Sequence, residues 1–136
     1  MGKILALDIG EKRVGVAISD QLLFLAHPLK TIQWQGFELF LSELKSIIEE
    51  HGVTEILVGV PYTLKGNVSQ KTAHILQIIK KLRKHLDLPI MEWDESLSTK
   101  QAHGILHRVG KKPSKQRNKI DQIAAVIILQ EYLDSK

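Results

Sequence analysis

Residues 3–19, KILALDIGEKRVGVAIS, decide how the rest of the chain is read. KILALDI is a short apolar run rich in strand formers, and VGVAIS is a second, weakened in β propensity by Gly15 and Ala17. The connection from Gly10 to Arg13 is too short for anything but a turn, so the two runs predict a β-hairpin. Asp8 is the oddity. An acid in an apolar strand is costly to bury unless something pairs with it. Asp also suits turns, and Gly10 follows two residues later, so a turn-capping role stays open beside a functional one.

Working outward, residues 22–32 predict a third strand. Its interruption at His27-Pro28 points to a sheet edge or a bulge. Phe37, Phe40, Leu41, Leu44, Ile47 and Ile48 keep the spacing of one helical face, and Gly52 is a natural stop. TEILVGV (54–60) is a compact strand of the buried kind. PYTLKGNV (61–68) reads as a loop. Ser69 is a candidate N-cap for a helix whose apolar side is Ile75, Ile78, Ile79 and Leu82. PIMEW (89–93) is a short strand, and Ser98 with Gln101 has capping-box spacing for a further helix. RVGKKPSKQR (108–117) reads as a basic loop, and 119–133 as a last helix capped at Asn118 or a neighbour. The order β-β-β-α-β-α-β-α-α predicts an α/β fold with a mixed five-stranded sheet, three antiparallel strands and then parallel ones, and helices on both faces. Ligands of such sheets usually bind at the carboxyl ends of the parallel strands.

The chain has 136 residues, the size of one domain (1–136), and no cysteine, which removes zinc-thiolate sites and thiol nucleophiles. No apolar run reaches the roughly 18 residues of a membrane span, and Asp8 interrupts the N-terminal one, so a soluble, cytoplasmic protein is expected. The net charge of +4 is unevenly spread. Residues 56–86 hold six Lys or Arg and no acid, and residues 96–120 hold seven and no acid. The remainder is acidic. Such segregation suits a face for a polyanion, although basic helix faces are often merely solvated.

Three further acids stand where elements begin or end. Asp94 and Glu95 follow the strand at 89–93, and Asp121 falls in the first turn of the expected last helix. Each has an ordinary structural explanation as a loop or first-turn acid. Together with Asp8 they could meet at one sheet edge, where clustered carboxylates need protons or cations to relieve their repulsion. Hard oxygen ligands with free water positions suit Mg²⁺ or Mn²⁺, two of which can drive phosphodiester hydrolysis. Other signals are weaker. His103 and His107 sit at i, i+4 with no third ligand. GVPYTLKG (59–66) lacks the ending of a P-loop. Ser69, Ser96 and Ser98 suit caps, and Trp34 and Trp93 suit the core.

LALDIGEKRVGVAISD (5–20), GVP and Gly66, WDESLST (93–99) and IDQIAAVIILQEYL (120–133) together resemble the YqgF family, whose members are described as pre-16S rRNA nucleases and as Holliday junction resolvases. The resemblance runs from the first strand to the last helix. It implies an RNase H-like fold and a nuclease dependent on Mg²⁺ or Mn²⁺, two ions in all, that leaves a 5′-phosphate and a 3′-hydroxyl. By motif, Asp8, Glu95 and Asp121 match the catalytic metal-binding acids; Asp94 is the other acid of the family's acidic pair, and the motif leaves open which of the two points at the metals, with Glu95 favoured. Lys12 and Arg13 match a basic pair that would meet phosphate. Lys100, Arg108, Lys111, Lys112, Lys115, Arg117 and Lys119 would line the nucleic-acid face. The chain departs from the pattern at Ser96, where the family usually has Arg, which puts one phosphate contact in doubt.

The reading this favours is processing of the 5′ end of precursor 16S rRNA. A resolvase acting on branched DNA is the alternative, and would need two active sites and hence a homodimer, whereas a monomer suffices for the first. A non-catalytic RNA-binding module of ribosome assembly is a third reading. An ATPase of the actin and sugar-kinase type also opens with DxG, but places its nucleotide between two domains, and this chain has the length of one.

Overall fold

A computed structural model describes residues 2–62, 69–95 and 114–135, with the side chains of the last segment described from Gln122 onward. Five strands and three helices are present among them: β1 (Lys3–Ile9), β2 (Arg13–Ser19), β3 (Ala26–Gln33), α1 (Phe37–His51), β4 (Val53–Val60), α2 (Gln70–His85), β5 (Ile90–Asp94) and α3 (Ser114–Asp134). The sheet order is β3-β2-β1-β4-β5. β1–β2 and β2–β3 are antiparallel, and β1–β4 and β4–β5 are parallel.

The hairpin closes as expected, with the Gly10 amide donating to the Arg13 carbonyl at 2.8 Å. A side chain at Gly10 would press on that carbonyl. β1 is the central strand and is buried on both faces, which is why it is almost wholly apolar. Leu5, Leu7 and Ile9 join Val14, Val16, Val58 and Val60 under α1 and α2 in the larger core. Ile4, Ala6, Ala17 and Leu57 face the other way, against Ala125, Ile128, Leu129 and Leu133 of α3. The small residues that weaken β2 as a strand thus lie on the side that the last helix covers closely.

β3 is an edge strand carrying a bulge. Val16 pairs with Lys30 and Ala17 with Pro28, so Leu29 is the extra residue. Pro28 lacks an amide hydrogen and is tolerated there because β3 has only one neighbour. The strand starts at Ala26, later than the 22–32 expectation. Residues 20–25 instead form a turn in which Asp20 Oδ1 accepts from the Phe24 and Leu25 amides. Two glutamines, 122 and 130, tie α3 to this edge. Gln122 donates to Thr31 Oγ1 at 2.9 Å, and Gln130 accepts from the Ala26 amide and donates to the Phe24 carbonyl.

α1 ends at Gly52, which adopts the left-handed conformation with φ 67°. Ser69 caps α2, its Oγ accepting from the Thr72 amide at 3.1 Å. The last helix departs from expectation. It begins at Ser114, so residues 114–117 are not loop and Asn118 lies inside the helix. Gln116, Arg117 and Lys119 are long straight-chain helix formers, and no Gly or Pro interrupts 114–134. The helix expected from Ser98 lies outside the described residues. Among the described residues no helix is long and apolar enough to cross a membrane.

Candidate active site

Strand alternation puts Asp8 on the α3 side of β1, in line with Ile4 and Ala6. Its partner across the β1–β2 ladder is Gly15. On the other flank, one residue beyond the Leu7–Val58 pair, stands Gly59 of β4. Asp8 is therefore set between two positions without side chains, at the carboxyl end of the central strand. Large neighbours there would have walled in the carboxylate.

Glu95 fills part of the space so created. It follows β5 directly, and its carboxyl lies over Gly59, where a Cβ would come 2.5 Å from Glu95 Oε1 and 2.6 Å from Ile128 Cδ1. Glu95 hydrogen-bonds Asp8. The Glu95 carboxyl is pushed up to about 9, mainly because burial disfavours its charge, then because of the hydrogen bond to Asp8 and the Asp8 charge. The Lys71 ammonium opposes the shift and Asp94 adds to it. The shift favours the protonated form of the Glu95 carboxyl beside Asp8. The Gly10 amide bonds Arg13, so the turn does not use Asp8 as its cap.

Asp94 pairs with Val60 at the end of β5, and one step of strand alternation separates it from the side to which Trp93 belongs. Its charge acts on Tyr62, whose hydroxyl donates to Glu92 Oε1 at 2.7 Å. That hydrogen bond, then burial, then the Glu92 and Asp94 charges raise the Tyr62 pKa. Asp94 thus acts electrostatically on both Tyr62 and Glu95, whereas the Glu95 carboxyl meets the central aspartate.

Asp121 is the eighth residue of α3 rather than part of its first turn. It stands one helical turn before Ala125, which is fully buried against the sheet face that carries Asp8. Its side chain lies outside the described residues, as do those of Lys115, Arg117 and Lys119. Lys100, Arg108, Lys111 and Lys112 fall outside altogether. Lys12 is exposed on the hairpin turn, and Arg13 is half-buried at the start of β2. Among the described residues no three His, Asp or Glu side chains gather as a metal site. The carboxyl pair still has the right chemistry for a hard dication: two carboxyl groups side by side, one of them held towards its protonated form until positive charge arrives, and a cradle that a Cβ would fill.

Residues 2–135 match the family described as "RuvX: Holliday junction resolvase". The chain belongs to the RuvX family. Two relatives carrying the name "Putative pre-16S rRNA nuclease" show its breadth. One, from Desulforamulus reducens, is 41% identical over 133 residues, covering 98% of this chain and 97% of the relative. Another, from Roseiflexus sp. strain RS-1, is 38% identical over 135 residues, covering 99% and 96%. Among solved structures, T. thermophilus RuvC in complex with a Holliday junction substrate superposes with a TM-score of 0.62 at 12% identity, covering 99% of this chain and 95% of that one. A Fowlpox virus resolvase bound to Holliday junction DNA gives 0.56 at 11% identity, covering 98% and 97%. At such identities the likeness is one of fold, and the RuvX-family sheet and helices are RNase H-like.

Three features of the RuvX-family site were missed in the sequence. Gly15 entered as a weak strand residue and Gly59 in a comparison with P-loops, and both stood in motifs of the family resemblance without a role of their own. Their common signal was position, since both are small residues in strands flanking the one that carries the buried acid. Lys71 lay unremarked in the first basic stretch. That stretch is partly structural: Lys81 lies over the Phe37 ring, 5.4 Å from its centroid, and Arg83 donates to the Ile90 carbonyl at 2.7 Å. Trp34 and Trp93 pack against the two cores, as expected.

Proposed function

We propose that this chain is a divalent-metal-dependent nuclease that hydrolyses phosphodiester bonds in structured RNA, processing the 5′ end of precursor 16S rRNA. The observation that carries the reading is the Asp8–Glu95 carboxyl pair, held between glycines at the carboxyl ends of parallel strands. A half-buried pair of neighbouring carboxyls is costly to keep unless protons or cations relieve it, which favours a functional reason for its presence. Membership of the RuvX family and the names of the relatives support the same activity.

Asp8, Glu95 and Asp121 would hold Mg²⁺ or Mn²⁺, with Asp94 as a neighbouring negative charge. When bound, the ions would activate the attacking water and stabilise the leaving oxygen. The protein's own part is positional. β1 fixes Asp8 from both sides through the sheet ladder. Gly15 and Gly59 leave room above it. Glu95 gives up its proton, so that charge-neutral carboxyl becomes carboxylate only when positive charge arrives. Lys12 and Arg13, directly after the Asp8 strand, and the bases of 100–119 would meet the phosphate backbone.

A side-by-side assay on precursor 16S rRNA and a four-way DNA junction tests this, with Mn²⁺, Mg²⁺ or chelator. Metal-dependent cleavage of the precursor, with the junction cut more slowly, is expected. Preferential cutting of the junction would replace the substrate assignment, and RNA binding without cleavage would favour a non-catalytic assembly module.

A further inference from the structure

A cavity of about 280 Å³ opens on the α1/α2 side of the sheet, between the β1–β2 turn and the first two turns of α2. Ile9, Gly10 and Glu11 form one wall, and Lys71, His74 and Ile75 the other. The turn wall begins at the residue after Asp8. The helix wall carries Lys71, close enough for its charge to act on the Glu95 carboxyl. Lys71 lines the cavity, and its charge reaches the Glu95 carboxyl. Ile9 and Ile75 make part of the lining apolar, and the His74 ring is steadied edge-on by Trp34 at 6.4 Å between centroids. Glu11 sets one negative charge on the rim, which disfavours a multiply charged free anion. The volume is at the small end for ligand pockets, room for about one nucleotide unit.

Resting on the nuclease reading above, we propose that this cavity seats the nucleotide adjoining the scissile bond, with the Lys71 ammonium on that nucleotide's phosphate and the base or sugar against Ile9, His74 and Ile75. A singly charged phosphodiester fits a site with one ammonium and one carboxylate better than a phosphate monoester does. A flexible, point-charged lysine suits a phosphate that shifts relative to the acids during the reaction. Lys71 is in this account a substrate-contacting residue that sets the register of the strand, and the acids remain the centre of the chemistry.

The test is a charge-neutralisation cycle. Substrates carrying one methylphosphonate linkage at successive positions around the cleavage site are cleaved by wild-type protein, Lys71→Gln and Lys71→Arg, with Mn²⁺ present. In wild type, one flanking position lowers kcat/KM by roughly tenfold to a hundredfold, the size of a charge-assisted hydrogen bond. Lys71→Gln shows that loss on the unmodified substrate and no further loss at that position, while Lys71→Arg keeps most of the dependence. If wild type cleaves but the effects of Lys71→Gln and of every neutral linkage simply multiply, the cavity assignment is overturned and the nuclease reading stands. If wild type cleaves neither RNA nor DNA, both fall. Lys71 is exposed, so a melting temperature matching wild type confirms that the variant reports on substrate rather than on folding.

Discussion

The Glu95 carboxyl rests directly over Gly59, with no room for a methyl group between them. Gly59→Ala would put a Cβ 2.5 Å from Glu95 Oε1 and 2.6 Å from Ile128 Cδ1, contacts that must be relieved by moving one or both. The cost should be about 1–3 kcal/mol of stability, typical of overpacking. Cleavage should fall by at least a hundredfold, because Glu95 is displaced from Asp8. Denaturant melts and single-turnover rates check the two parts separately. A variant that melts lower but cleaves normally would detach Glu95 from the chemistry.

Stability of the metal-free protein should fall as the pH rises. Glu95 is held near 9 in the folded chain against an ordinary value of 4.5, so the folded state binds the extra proton between those limits. Its stabilising effect is fully present below about 4.5 and is lost as the pH climbs through 9. The slope cannot exceed about 1.4 kcal/mol per pH unit for one proton. Urea melts in chelator at pH 5 to 9 should show the decline, and Glu95→Gln should flatten it. A rising profile in wild type would contradict the shared proton.

The same proton must leave when a dication binds. Mn²⁺ affinity should therefore strengthen with pH, by up to about tenfold per unit below 9, and level off above it. Calorimetry in two buffers of different ionisation enthalpy should report about one proton released per binding event at neutral pH. Binding with no proton release would mean that the ions do not use Glu95.

Gln130 closes the seam between α3 and the β3 edge with two backbone hydrogen bonds. Gln130→Ala leaves the Ala26 amide and the Phe24 carbonyl without that partner and should cost about 1–2 kcal/mol. Amide exchange at Ala26 should quicken, measured by mass spectrometry on metal-free protein. Cleavage should be little affected, since Gln130 lies two helical turns beyond Asp121.

Much of this fold was legible because its strands are short, apolar and separated by Gly, Pro or polar turns, and because α1 and α2 carry clear one-sided apolar stripes. Pro28 even announced the edge strand and its bulge. Two features resisted. RVGKKPSKQR looked like loop because its glycine, proline and bases dominate, yet the helix starts immediately after Pro113, at Ser114. Asp94 and Glu95 could not be told apart, because neighbours at a strand end face opposite ways and the choice depends on where the strand stops. In three dimensions the Glu95 carboxyl occupies the space that Gly59 leaves. A glycine's value to a residue at the end of the adjacent strand has no signature in a single sequence.

The most direct test of the acid-pair account is Asp8→Asn, assayed for precursor rRNA cleavage with Mn²⁺ and for thermal melting in chelator. The charge that opposes ionisation of Glu95 is removed while the shape of the side chain is kept. Cleavage should be abolished, and the metal-free protein should melt at the wild-type temperature or above it. Cleavage at the wild-type rate would contradict the central role given to Asp8. A large loss of melting temperature would show that the carboxylate serves the fold.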